Sequence, residues 1–234
     1  MQILHSSGCK SPPAGCDRGY LCLAFIIGLS SFIEGFIGWY FAASNAIRAD
    51  AAHAALHSGI YLSAAYVGWL VRKRNFSVEE ERGRRILYCK RNIASMFILG
   101  LSPPLLSAFW RLTHPVSVSG GYMAVGALVG IVGTASALFI LRIMAKDHVV
   151  YAQDEIECRG SEEMHETMSW DTTSDLSISV VALLVAILAL LVLPISGFLH
   201  YIDTFLTIAT ISWIVFKSKK LWSSLNTGGR HHHH

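Results

Sequence analysis

Charge is what this sequence has least of. Asp, Glu, Lys and Arg make up 15% of the 234 residues, against 53% apolar residues, and the mean hydropathy is +0.45. A soluble globular domain carries about a quarter charged residues, so the balance excludes an ordinary water-soluble domain. Cysteine is sparse and poorly placed. The five cysteines, Cys9, Cys16, Cys22, Cys89 and Cys158, form no CxxC pair, and no two share the face where disulfides persist, so a structural disulfide is not expected. The start lacks the apolar run after a basic segment that a signal peptide needs; the first apolar run begins only at Leu21. There is no HExxH motif and no nucleophile–base pair, so nothing argues for an intramembrane enzyme. After the last apolar segment only "KSKKLWSSLNTGGRHHHH" remains, too short for another folded domain, and its end reads as an expression-tag remnant.

What is present is a series of long apolar runs. Six segments read as apolar helices: about 19–43, 46–71, 86–110, 119–145, 164–193 and 200–217. Most reach the roughly 20 residues that cross ~30 Å of hydrocarbon. The fifth is clearly apolar only from Leu176 to Leu193. The expected fold is an all-α integral membrane protein of six transmembrane helices. Its organisation is an N-terminal tail (1–18), a transmembrane domain (19–217) and a short C-terminal tail (218–234). Of the 19 Lys and Arg, all but Arg48 and Arg111 fall on one side if both termini share that side. The positive-inside rule makes that side the cytoplasm. The net charge of +3 is therefore a topology signal and gives no reason to expect nucleic-acid binding.

The segment "RKRNFSVEEERGRR" reads as a solvated charged loop against lipid headgroups. Residues 147–166 read as a solvated acidic loop, with cation gathering on the cytoplasmic side as the alternative. Pro103 and Pro104 remove backbone donors inside the third apolar segment and predict a kink or break there.

Ionisable residues inside apolar helices cost at least ~2.5–3 kcal/mol near the bilayer centre, so they mark function by default. Here they are Glu34, Asp50, His53, His57, Asp171, Asp175 and Asp203. In "SNAIRADAAHAALHSG", positions 50, 53, 57 and 61 share one helical face. The intervening alanines let a neighbouring helix approach closely. One helix cannot supply four converging ligands, but His53 and His57 at i and i+4 can supply two. "WDTTSDLSISVV" offers Asp171 and Asp175 at the same spacing, with Ser179 one turn on. These acids are equally suited to capping the helix start, and the histidines to forming a hydrogen-bonded pair. Taken together, two imidazoles and two carboxylates make an N2O2 set that suits zinc and related divalent ions.

These motifs resemble the cation diffusion facilitators, proton-coupled exporters of zinc and similar ions. "FIEGFIGWYFAASNAIRADAAHAALHSG" is similar to their helix 1–2 signature, with Glu34, Gly38, Ser44, Ala46, Ala49, Asp50 and His53 in register. "RLTHPVSV" and Asn92 resemble helix 3. "GIVGT" resembles helix 4, with Thr134 where Asn is usual. "DTTSDLSISV" resembles helix 5, and "YIDTFLTIATISWIVFKSKKLW", with Asp203, resembles helix 6. The resemblance covers about 20–225. It implies a transport site of His53, His57, Asp171 and Asp175, with Asp50, Glu34 and Asp203 as possible accessory groups. His57 stands where Asp is usual, and Asp171 where zinc-selective members often have His. The cytoplasmic C-terminal domain of typical members has no counterpart, so the expectation is a short form that dimerises through its membrane region.

The expected activity is zinc efflux in exchange for protons, with cadmium and cobalt as followers and no organic cofactor. Protons and metal compete for the same atoms of His53, His57, Asp171 and Asp175. Manganese and iron are disfavoured by the two imidazoles. Two other readings stand beside it. One is a non-transporting metal-binding subunit or sensor. The other is a b-type haem protein drawing on His53, His57, His165 and His200, which leaves Asp171 and Asp175 without a role.

Overall fold

The computed structural model describes residues 14–74, 78–151, 159–192 and 199–227. Every regular element among them is a helix: α1 (Ala14–Tyr40), α2 (Asn45–Arg74), α3 (Val78–Ser95), α4 (Ser102–Thr113), α5 (Gly120–Tyr151), α6 (Arg159–Val192) and α7 (Leu199–Thr227). A π-helical stretch, Met96–Leu101, joins α3 to α4. The all-helical architecture expected from the sequence is what the chain adopts.

Among the described residues, four stretches are long and apolar enough to cross a membrane: Arg18–Tyr40, Ile86–Thr113, Gly120–Ile143 and Leu199–Lys219. The second runs through α3, the π-helical stretch and α4. In α6 the apolar part is shorter, Asp175–Leu188. The helices α2 and α6 are less apolar because they carry the ionisable residues.

Two local expectations are refined. The charged run before the third apolar segment is not a loop throughout, because α3 begins at Val78. Glu80 and Arg84 stand at i and i+4, a spacing that supports a helix in water or headgroups. The break near Pro103 and Pro104 takes the form of the π-helical stretch just before them, with the prolines in the first turn of α4. Proline lacks the N–H that would serve the carbonyl four residues back, and a wider turn relieves that mismatch. The Ser102 hydroxyl donates to the Ile98 carbonyl at 2.5 Å.

Close approach of α1 to its neighbours builds the core. Ser31 Oγ donates to the Ala51 carbonyl and Ser58 Oγ to the Ala24 carbonyl, both at 2.7 Å, which ties α1 to α2. On α5, a Cβ at Gly133 would collide with the Ser30 side chain, so only glycine allows α1 this close. Two apolar clusters result. One holds Leu23, Ile27, Leu56, Ile60, Ile93, Leu141 and Ile214. The other holds Ala46, Ile47, Met123, Ala127, Ala182 and Ala186. Between them, α1, α2 and α6 place Glu34, Asp50, His53, His57, Asp175 and Ser179, all buried.

Candidate metal centre

On α2, His53 and His57 lie one turn apart. Their rings sit edge to face, with centroids 4.7 Å apart, and their Nε2 atoms are 3.2 Å apart. From α6, Asp175 meets both. His53 Nε2 lies 3.0 Å from Oδ1 and His57 Nε2 lies 2.8 Å from Oδ2. All three residues are at most 7% exposed. Among the described residues, this is the group of His, Cys, Asp and Glu whose donor atoms converge as metal ligands must. Zinc–nitrogen and zinc–oxygen bonds of ~2.0–2.2 Å place tetrahedral ligand atoms about 3.3 Å apart. The donor spacings of 2.8–3.2 Å fall slightly inside that edge, so a small outward movement of the side chains admits the ion.

The fourth expected ligand, Asp171, precedes Asp175 by one turn of α6; its side chain lies outside the described residues. Beside it, Thr172 Oγ1 is 3.4 Å from the Tyr61 hydroxyl, so α2 and α6 touch again one turn along. His53 Nδ1 is buried and has no hydrogen-bond partner among the described residues.

The other ionisable residues separate into two places. Asp50 lies one turn before His53, and its Oδ2 accepts a 2.7 Å hydrogen bond from Ser179 Oγ. Glu34, 1% exposed, lies beside Asp50. Asp203 sits elsewhere, on the first turn of α2. Its Oδ1 accepts from Ser44 Oγ at 2.5 Å and the Ala46 amide at 3.3 Å; its Oδ2 accepts from the Asn45 amide at 3.0 Å. Ser44 Oγ in turn caps the Ile47 amide at 3.2 Å. Free amides at a helix start attract anions, and here a carboxylate from α7 supplies one. Arg111 of α4 lies 3.4 Å from the same carboxylate and also donates to the Ala43 carbonyl.

Arg111 was not among the residues the sequence pointed to. Its signal was an arginine, only 5% exposed here, inside an apolar segment on the side poor in basic residues. Asn92 donates to Ser63 Oγ at 2.9 Å and packs on Gly59, which joins α3 to α2. Cys9 and the acidic residues 152–158 lie outside the described residues, as does the side chain of Cys16. The same holds for the side chain of His165.

A family model described as the cation efflux transmembrane domain matches residues 21–224. No curated protein matches the chain.

Proposed function

The chain belongs to the cation efflux family of membrane metal transporters, and from that premise we propose that it exports zinc in exchange for protons through His53, His57, Asp175 and Asp171. The observation that carries this reading is the convergence of two imidazole Nε2 atoms, 3.2 Å apart, each on a different oxygen of one carboxylate at 3.0 and 2.8 Å, in a buried layer of the bundle. Two nitrogens with two carboxylates suit zinc, with cadmium and cobalt next.

Proton exchange follows from the same atoms. Each Nε2 offers one lone pair, which holds either a proton or the metal. Binding therefore expels protons, and protonation expels the ion. Facing a neutral cytoplasm the site loads; facing a more acidic compartment it empties. The two helices that carry the ligands, α2 and α6, must alternate between two packings with different affinity for the ion.

In this reading residues 19–217 form the transport domain of six spans, flanked by tails 1–18 and 218–234. Both termini are cytoplasmic, and two copies pair within the lipid through the transmembrane region.

The test is zinc movement into proteoliposomes of tag-free protein under an imposed pH gradient, beside a His53→Ala control. Gradient-dependent uptake that the control loses is the expected result. Wild-type protein that binds zinc but moves none would overturn transport and leave a metal-binding subunit or sensor.

A further inference from the structure

A second group of oxygens lies one step along the bundle from the histidines. Asp50 is three residues before His53 on α2, and Ser179 four residues after Asp175 on α6. At 1.5 Å per residue, they lie about 4.5 and 6 Å from His53 and Asp175 along the helices, toward the α1–α2 turn. Ser179 Oγ donates to Asp50 Oδ2 at 2.7 Å. Across from them Glu34 reaches in from α1 to lie beside Asp50, and its Oε1 is buried with no partner among the described residues. Gly130 of α5 packs directly against these groups. A Cβ there would stand 3.0 Å from Glu34 Oε1, 3.2 Å from Oε2 and 3.2 Å from Ser179 Oγ. Two carboxyls and a hydroxyl thus face one another, and among the described residues no Lys or Arg acts on either acid.

A buried carboxyl oxygen without a partner is destabilising, so such a group needs a reason to persist. We propose that Glu34, Asp50 and Ser179 form a second, all-oxygen position for a divalent cation, which the ion occupies after leaving His53, His57 and Asp175. Oxygen ligands alone hold a borderline ion such as zinc less firmly than imidazole does, and a weaker site next in line is what release requires. Two cations this close repel, so occupancy passes from one layer to the next, as in multi-site conduction. The inference deepens the transport reading and rests on it for direction; the existence of the site does not depend on it.

Manganese(II) is the probe, because it favours oxygen ligands and its free ion is counted by electron paramagnetic resonance. Tag-free His53→Ala protein in detergent, with the first layer disabled, is expected to bind one Mn2+ per chain through this group. The H53A/E34Q double variant, which keeps the shape of Glu34, is expected to bind it at least tenfold more weakly. The same pair built on Asp175→Asn repeats the comparison if His53→Ala protein fails to fold. Equal binding by single and double variants, or none by the single, overturns the proposal. A third variant separates it from the simplest alternative, a permanently protonated Glu34. Glutamine imitates a protonated acid, so wild-type flux in Glu34→Gln also overturns it; the expected result is a tenfold or greater loss of rate with zinc affinity at the histidines unchanged. Absence of exchange by wild-type protein would instead overturn the transport reading and leave the Mn2+ comparison valid.

Discussion

His53 shows how much one atom decides. When Nε2 holds metal, the ring's remaining proton must sit on Nδ1, which is buried with no acceptor among the described residues. A buried donor left unsatisfied costs about 1–3 kcal/mol. Structural metal sites spend a hydrogen bond on that second nitrogen to orient the ring and strengthen the ligand; His53 lacks one. Its site should therefore hold zinc loosely enough to let go. Because binding displaces protons, zinc affinity should fall as pH falls, and the slope of log affinity against pH counts the protons displaced. Titration of tag-free protein at a series of pH values checks this; a flat profile would mean that the histidines do not bind the ion. Asp175→Ala should weaken binding by more than the ~10–100-fold that loss of an outer partner costs, since it removes a direct ligand from between both imidazoles.

At the scale of elements, the start of α2 is held by other helices. Its first amides are satisfied by Ser44 and by Asp203 of α7, and Arg111 of α4 closes the cluster. Removing an ordinary N-cap costs about 0.5–2 kcal/mol, while stripping one partner from a buried ion pair costs about 3–5 kcal/mol. Asp203→Ala should do both and lower the Tm in detergent markedly. Asp203→Asn keeps an acceptor for the amides and should lie between the two; equal melting of all three proteins would show the cluster to be inert. The helices themselves were legible in the sequence, because long apolar runs and i, i+4 pairs are local signals. The pairing of His53 and His57 with Asp175 was legible too, since each half is a short motif on one helix. The cap was not: Ser44 and Asp203 are 159 residues apart, and nothing in either neighbourhood names the other. The π-helical stretch was half legible, as Pro103 and Pro104 announce a break without saying on which side it falls.

Over the whole molecule, the outward surface is apolar. Phe25, Phe32, Leu99, Phe109, Phe139, Leu191 and Phe205 are each more than half exposed, far beyond the apolar patches of a soluble monomer. Lipid is the solvent that such a surface fits. The orientation proposed above is open to a direct check. Cysteine placed at Val116, in the α4–α5 connection, should react with a membrane-impermeant thiol reagent from outside sealed cells. Cysteine at Lys219, in the last turns of α7, should react only after the membrane is opened. The reverse pattern would invert the protein. The cap on α2 also bears on how the molecule is made. Ribosomes add roughly 5–20 residues per second, so Asp203 emerges on the order of 10–30 s after Ser44. Through that interval α2 has no anion on its first turn and Arg111 has no counter-charge. The half of the chain that carries the histidines is synthesised early and completed late. A nascent chain halted before α7 would therefore carry Arg111 inside an apolar segment without the acid that pairs it in the finished protein.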